Sequence, residues 1–245
     1  MPFTFSHPAI VLPFKWVDPK WFSITGLVIG SMIPDFEYFL RMKIQSDYSH
    51  TLGGVFWFDL PLCIVVAFVF HTIVRNSLID NLPKFLKIRF IEYKSFNWNN
   101  YFRKNWIIVI ISALAGIFSH FLWDAFTHWD GFFVQNSTLL NNTVSIGGYP
   151  FPVFKLLQHA SSLIGEMILV VLVMILHRKE ITKRKINISY WFLFLAIAMI
   201  IVFIRIFAGL DYRLYGTLIV TIISAALLSL IILGVVWKWK ANFTK

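Results

Sequence analysis

The sequence is poor in cysteine and in charged residues. It contains one cysteine, Cys63, and only 14% of its 245 residues are charged. A single cysteine excludes a disulfide framework within the chain and any metal site built from several thiolates, so a metal would have to be bound by histidine and carboxylate side chains. The low fraction of charged residues excludes an ordinary water-soluble globular protein.

Targeting and repeat signals are also missing. The first residues, MPFTFSHPAIVLPFKW, lack the basic start, the continuous apolar stretch and the small-residue cleavage pattern of a signal peptide, so we expect the start to be retained. The sequence has no internal repeat and no low-complexity tract. What it does contain is apolar: 58% hydrophobic residues, a mean hydropathy of +0.72, 26 phenylalanines and 10 tryptophans. This composition predicts an integral membrane protein.

Five stretches are long enough to cross the hydrocarbon layer of a bilayer, which takes about 20 residues of helix. They cover residues 55–75, 106–126, 154–176, 189–209 and 213–237. A sixth apolar stretch, residues 22–33, stops at Pro34 and fits a half-depth, re-entrant or surface helix as well as a full span. The pattern predicts an all-α, polytopic membrane helix bundle of five transmembrane helices, or six.

The N-terminal segment can be placed in two ways. We treat residues 1–245 as one membrane domain, in which an interfacial surface segment, residues 1–54, carries candidate ligands and precedes the helix bundle, residues 55–245. With five spans the N-terminus lies outside the cell. With six spans His7 lies in the cytoplasm, an arrangement that two lysines early in the segment mildly favour.

The net charge of +10 follows the predicted topology. Lysine and arginine are concentrated after the first span, after the third span and in the C-terminal tail, whereas residues 124–153 contain neither. The positive-inside rule places the basic segments in the cytoplasm of a bacterial cell, and no nucleic-acid partner is needed to explain the charge. The basic residues of these three segments are Arg75, Lys84, Lys87, Arg89, Lys94, Arg103, Lys104, Arg178, Lys179, Lys183, Arg184, Lys185, Lys238, Lys240 and Lys245.

The end of the second span carries ionisable residues in helical register. In SHFLWDAFTHWDG, residues 119–131, the side chains of His120, Asp124 and His128 are four residues apart and share one helix face. A histidine and a carboxylate at this spacing can bind one zinc ion, which lowers the pKa of a coordinated water towards about 7. The alternative is a histidine that faces the bundle interior and only hydrogen-bonds Asp124.

Further histidines and acids are placed near the same outer surface by this topology. The candidate metal ligands are His7, Asp35, His50, His120, Asp124, His128 and His159, and the expected cofactor is a divalent metal, with zinc the first choice. Each has an ordinary alternative. For His7 the alternative is an ordinary polar residue of an extended surface strand, and for Asp35 or His50 it is a helix cap.

A second set of residues is expected to assist the chemistry. Asp35 is the candidate catalytic carboxylate, which positions or deprotonates water, and Glu37 is a reserve base. Asp59 is a candidate to orient a ligating histidine. Glu166 and Arg205 lie inside apolar spans, where they form a structural ion pair or, for Arg205, a binding group for substrate phosphate.

Three segments resemble a known family. They are MPFTFSHPAIVLP at the start, GSMIPDFEYF at residues 30–39 and SHTLGGVFWFDLP at residues 49–61. These segments are similar to the bacterial membrane proteins of the domain of unknown function 4184 family. That family has no established activity, so the resemblance implies a membrane protein without naming its reaction.

More remotely, the order of histidines and acids resembles two groups of metal-dependent hydrolases. One is the LexA-regulated membrane-bound metal-dependent hydrolases, and the other is the zinc phospholipase C and single-strand nuclease superfamily, whose all-helical members cleave phosphoesters. The resemblance implies ligand roles for His7, Asp35, His50, His120, Asp124 and His128. The last pair of the superfamily pattern is altered here, because His159 is followed four residues later by Leu163, and the nearest acid is Glu166.

Two functions follow as competing hypotheses. The leading hypothesis is a membrane-bound metal-dependent hydrolase that acts on a phosphoester or lipid headgroup at the extracytoplasmic surface of the inner membrane. The alternative is a non-catalytic integral membrane protein with a structural or sensing metal site, which the altered pair at His159 favours. A transporter that uses Glu166 and Arg205 ranks last, because the sequence lacks repeats and paired broken helices.

Overall fold

The computed structural model describes residues 3–16, 20–181 and 187–243. Four of the basic residues used for the topology prediction, Lys183, Arg184, Lys185 and Lys245, lie outside these ranges. The helices are α1 (Pro8–Val11), α2 (Ile24–Met32), α3 (Phe36–Arg41), α4 (Leu52–Gly54), α5 (Leu60–Val69), α6 (Arg75–Asn81), α7 (Lys84–Phe90), α8 (Trp98–Thr127), α9 (Phe132–Asn136), α10 (Thr138–Asn141), α11 (Val153–Met174), α12 (Ile188–Phe207) and α13 (Tyr215–Phe243). The strands are β1 (Thr143–Ile146) and β2 (Tyr149–Pro152).

Within the described residues, five helical stretches are long and apolar enough to cross a membrane, and each coincides with a predicted span. They are Leu52–Asn81, Trp98–Asn136, Val153–Met174, Ile188–Phe207 and Tyr215–Lys240. Many large apolar side chains on these helices are exposed, among them Ile164 and Phe203. Such exposure suits a hydrocarbon environment and is unfavourable in water. The prediction of an all-α integral membrane protein is therefore confirmed.

The sixth apolar stretch forms a short helix. α2 has 9 residues and begins at Ser23, whose side chain accepts a hydrogen bond from the Gly26 N–H. At 1.5 Å per residue such a helix is about 14 Å long, roughly half the thickness of the hydrocarbon layer. A 3₁₀ turn, Ile33–Asp35, follows it. α2 alone is therefore too short to cross a membrane.

Two of the long spans are irregular. The first runs through α4, α5 and α6 and contains two π-helical segments, Val55–Asp59 and Phe70–Val74. π-helical turns are uncommon and are often found at functional positions. The second span, α8, has a non-helical residue, Asn105, at φ −131° and ψ 26°. The regular part of α8 thus begins close to residue 106, where the apolar pattern predicts the start of the span.

The described residues divide into two compact units. The first lies within residues 1–35, 48–63 and 105–175, and the second within residues 36–47, 64–104 and 176–245. In the second unit α12 packs against α13, and hydroxyl groups of α13 bind the carboxyl end of α3. Ser224 Oγ donates a hydrogen bond to the Phe39 carbonyl at 2.8 Å, and Thr221 Oγ1 donates to the Met42 carbonyl at 3.2 Å. Such bonds join helices in apolar surroundings.

In the first unit the backbones of α2 and α8 are in direct contact. A Cβ atom added at Gly26 would lie 2.7 Å from the Val109 carbonyl oxygen, and one added at Gly116 would lie 2.5 Å from the Leu27 carbonyl oxygen. Gly30 faces the Ala113 carbonyl more closely still. Glycines four residues apart allow helices to approach in this way, because no side chain separates them. The contact places Ser31 beside α8.

We expect Gly30→Ala to destabilise the protein. The added methyl group would meet backbone atoms of α8 that cannot move aside as a side chain can, and overpacking of this kind costs about 1–3 kcal/mol. Thermal unfolding of the purified protein in detergent measures the effect. Gly53→Ala is the matched control, because nothing lies within 4 Å of the new Cβ. An equal melting temperature for the two variants would contradict the proposed importance of the contact.

Candidate metal centre

The first unit brings six of the predicted ligands to one end of α8. They are His7, between the 3₁₀ turn Thr4–Ser6 and α1; Asp35, at the end of the 3₁₀ turn after α2; His50, just before α4; His120 and Asp124, on α8; and His128, just after α8. His50 has a φ of 59°, in the left-handed region that non-glycine residues seldom adopt. Strain of this kind is found most often at functional sites.

Four ligand atoms are joined by short nitrogen–oxygen separations. His120 Nε2 lies 3.2 Å from Asp124 Oδ2 and 3.7 Å from Asp35 Oδ1. His50 Nε2 lies 3.6 Å from Asp35 Oδ1 and 3.7 Å from Asp124 Oδ2. Two atoms that each bind one zinc ion at 2.0–2.2 Å with a tetrahedral angle are about 3.3–3.6 Å apart. These four separations are therefore close to the distance between two ligands of one zinc ion, and His50, His120 and Asp124 form one group of candidate ligands in the described residues.

The other oxygen of Asp124 faces a second pair of imidazoles. Asp124 Oδ1 lies 3.5 Å from His7 Nε2 and 3.2 Å from His128 Nδ1. The His7 ring also stacks on the His120 ring, with centroids 4.1 Å apart. One ligand atom each of His7, Asp35 and His120 lies within 4.8 Å of the other two. Asp124 thus stands between two pairs of histidines.

Backbone carbonyls orient two of the rings. The Nδ1 atom of His120 is 2.8 Å from the Ser31 carbonyl, and the Nδ1 atom of His7 is 3.2 Å from the Thr4 carbonyl. A carbonyl only accepts hydrogen bonds, so Nδ1 carries the proton in both contacts. In the neutral ring the Nε2 lone pair is then available towards the two aspartates, which is the form that binds a metal.

Several atoms of this cluster are buried without a hydrogen bond. Among the residues that the structure describes, none makes a hydrogen bond with Nε2 of His7, Nε2 of His120, Nδ1 of His128 or Oδ1 of Asp124. The side chains of His7 and His120 are 0% exposed. A buried polar atom without a partner costs about 1–3 kcal/mol. A cation bound between the imidazoles and the carboxylates would satisfy these atoms, so the residues present fit a metal ion.

The surroundings of His50 favour the neutral form of its imidazole. Burial lowers the pKa of its imidazole below the ordinary value of 6.5, because a desolvated ring resists protonation, and the nearby His120 lowers it further. Asp35 and Asp124 act in the opposite direction with smaller effect. A neutral imidazole is the form that a metal binds.

Glu37 is held by its own neighbours in the second unit. Its Oε1 atom accepts hydrogen bonds from Arg41 Nε at 2.8 Å and from the Asp47 N–H at 2.9 Å, and its Oε2 atom accepts one from Ser46 Oγ at 3.2 Å. Arg41 Nη2 also lies 2.7 Å from Oε1. These contacts favour a structural role for Glu37, which fixes the turn after α3, over the predicted role of reserve base.

Four predicted residues remain. His159, Glu166 and Asp59 belong to neither group of candidate ligands found in the described ranges, and neither does His128, which lies beside Asp124. His159 is exposed on α11, and Glu166 is half-buried on the same helix. Asp59 is fully buried at the end of the first π-helical segment. Arg205, in the last turn of α12, donates from Nη2 to the Met42 carbonyl at 3.5 Å. The ligand role of His159 and the supporting roles of the other three stay predictions.

Sequence reasoning missed the groups that support the ligands. The Thr4 hydroxyl donates to Asp35 Oδ2 at 2.5 Å, and Ser49 Oγ lies 3.1 Å from His50 Nδ1. The position of Ser49, directly before a candidate ligand, is a usable signal, and so is a threonine three residues before His7. The Ser31 carbonyl has no such signal, because every residue carries one.

The spans and the buried histidine–aspartate cluster define a polytopic membrane protein with a candidate metal centre. A family model described as Domain of unknown function (DUF4184) matches residues 1–235, so the chain belongs to this family, as its N-terminal segments predict. No curated protein and no solved structure matches the chain. The remoter resemblances to metal-dependent hydrolases and to the phospholipase C and nuclease superfamily gain no support from these comparisons.

We expect the purified protein to contain a divalent metal, and His50→Ala to lose it. His50 supplies one of the four converging ligand atoms, and the small side chain of alanine leaves that position empty. Metal analysis of detergent-purified protein after dialysis measures the content. His177→Ala is the matched control, because His177 is exposed and is not a candidate ligand, and it should retain the metal. Equal metal content in both variants would exclude His50 as a ligand.

Proposed function

We propose that the protein is a metal-dependent hydrolase of the membrane surface, with a phosphoester such as a lipid headgroup as its substrate. The observation that carries the proposal is the convergence of His50 and His120 Nε2 with Asp35 Oδ1 and Asp124 Oδ2 at separations of 3.2–3.7 Å. Nitrogen and carboxylate donors without thiolates suit zinc and also manganese.

Charge balance supports a metal over a network of protons alone. The two carboxylates of the cluster carry two negative charges, which one divalent cation neutralises while every imidazole stays uncharged. Without a metal, the same balance needs protons on two of the four histidines, whose side chains are 0–24% exposed. Buried charges are unfavourable unless their hydrogen bonds are made, and several atoms here make none.

The exposed edge of the cluster indicates where a substrate would approach. The side chains of His50 and His128 are each 24% exposed and that of Asp124 is 14% exposed, whereas His7 and His120 are fully buried. A divalent ion held there supplies Lewis acidity, which activates water and offsets the charge of a phosphoester.

Asp35 and His128 have different roles in the proposed reaction. Asp35 is held by Thr4 through Oδ2 and presents Oδ1 to His50 and His120, which suits a ligand better than a mobile base. His128 lies beside Asp124 at the open edge, with its Nδ1 atom 3.2 Å from Asp124 Oδ1. His128 is accordingly the residue placed to take a proton from the attacking water.

A second function is favoured by a different observation. Two of the imidazoles, His7 and His120, are fully buried, and structural metal sites are typically closed to solvent. A structural or sensing metal would then fasten the N-terminal segment to α8. Activity separates the two functions, because only the hydrolase needs the open edge at His128.

We expect His128→Gln to reduce hydrolysis about 100-fold or more, since general bases contribute roughly 10²–10⁴-fold to rate, while the metal content stays at the wild-type value. Turnover is measured on a panel of phosphate esters and phospholipids in detergent. His177→Gln removes an exposed imidazole outside the candidate site and should keep full activity. Wild-type protein with its full metal content and no turnover on the panel would favour the structural site. Loss of metal in His128→Gln would make His128 a ligand instead.

The location proposed for the centre is the outer face of the bacterial inner membrane. It is supported by the absence of lysine and arginine from residues 124–153, which follow the cluster on α8. The contact between His7 and Asp124 at 3.5 Å also supports an N-terminal segment on the same side as the end of α8.

We expect a cysteine at position 138 to be labelled from outside intact cells, and one at position 95 to be protected. Thr138 and Ser95 are both exposed, one after the second span and one before it, so a single membrane crossing separates them. Thr138→Cys and Ser95→Cys are treated with a membrane-impermeant maleimide before and after the cells are opened. Labelling of position 95 alone in intact cells would reverse the orientation.

A further inference from the structure

The connection between the second and third spans contains a β-hairpin. β1 and β2 are antiparallel, and Ile146 pairs with Tyr149 across the two residues Gly147 and Gly148. Both glycines have positive φ values, 58° and 86°, as a two-residue hairpin turn of type I′ requires. Val144 pairs with Phe151, and this pair lies on the same face of the hairpin as Ile146 and Tyr149.

The hairpin has one apolar face and one polar face. Side chains two residues apart on a strand point to the same side, and so do directly paired residues of antiparallel strands. The apolar face therefore consists of Val144, Ile146, Tyr149 and Phe151, which are 41–72% exposed. We call these four residues the hairpin face. Thr143, Ser145, Pro150 and Pro152 occupy the other side.

The positions of the prolines fit this register. Pro150 pairs with Ser145, and Pro152 pairs with Thr143. Proline lacks an N–H group, so it is tolerated where a residue need not donate to its partner strand, which in an antiparallel ladder is every second pair. The prolines are thus confined to one side of the hairpin, and the side chains on the other side are all apolar.

An isolated two-stranded hairpin is marginally stable in water, and an exposed apolar face does not help it. The place of the hairpin in the chain indicates what covers this face. β2 ends at Pro152, and the third span begins at the next residue, Val153, whose N–H donates to the Asn142 carbonyl at 2.9 Å. The base of the hairpin is therefore fixed to the end of a membrane-spanning helix, at the membrane surface.

We propose that the hairpin face lies in the lipid interface of the leaflet in which α11 begins. Tyrosine and phenylalanine are favoured at this depth, where an apolar ring meets headgroups. Residues 124–153 contain no lysine or arginine, and the first basic residue after the hairpin is Lys155, in the first turn of α11. At about 3.3 Å per residue a four-residue strand is roughly 13 Å long, so the hairpin rests along the surface of one leaflet. This inference does not depend on a bound metal or on catalysis.

Paired probes on the two faces test the proposal. In a Cys63→Ala background, Ile146→Cys and Ser145→Cys are each labelled with an environment-sensitive fluorophore, and the full-length protein is reconstituted into phosphatidylcholine nanodiscs. We expect quenching by lipids with a spin label near the headgroup to be several-fold stronger at position 146 than at position 145. Quenching by iodide in the water should show the opposite order.

Two outcomes would overturn the proposal. Equal quenching by iodide at both positions would mean that the hairpin stands in water. Protection of position 146 from both quenchers would mean that protein covers the hairpin face, either a second copy of the chain or another partner. Circular dichroism of each labelled protein checks the fold, and Val144→Cys with Thr143→Cys provides a second matched pair on the same two faces.

Discussion

The backbones of α2 and α8 approach each other at Gly26, Gly30 and Gly116, and the candidate metal centre depends on that approach. Ser31, the neighbour of Gly30, reaches His120 through its carbonyl and fixes the ring that faces both aspartates. A side chain between the helices would move this carbonyl out of hydrogen-bond range. The geometry of the centre therefore depends on glycines, which have no side chain that could act as a ligand.

Much of the fold and part of the site could be predicted from the sequence. Hydropathy gives the spans directly, because a bilayer demands long apolar helices, and helical periodicity places His120 beside Asp124. Spacing says less about His159, whose ligand role stays a prediction. α11 buries Phe154, Gln158 and Ser162, spaced by one helical turn, so the face next to Gln158 that carries His159 points outwards. Which face of a helix packs inwards depends on tertiary contacts that spacing alone does not reveal.

The hairpin was not predicted, although its turn has a recognisable sequence. Two adjacent glycines between apolar residues are typical of a two-residue turn. Pro150 and Pro152 oppose strand formation unless both fall where no N–H is needed, and this condition becomes visible only when the register is known. In this loop the two glycines favour a hairpin and the two prolines oppose one. The register of the two strands accommodates both. Glu37 is a similar case, since an acid near a candidate ligand in the sequence is bound to Arg41 in the structure.

The wide separation of the ligands along the chain has a consequence for biogenesis. His7 leaves the ribosome well before Asp124 and His128, which become available only after α8 has been synthesised and inserted. The N-terminal segment therefore lacks the partners of its histidine until the first two long spans have been inserted into the bilayer. α11 then adds Gly165, which packs against Ser6 and closes over the same segment. An ion bound at the proposed centre would therefore be loaded late in the maturation of this protein, and a chain stalled before α11 would hold it poorly.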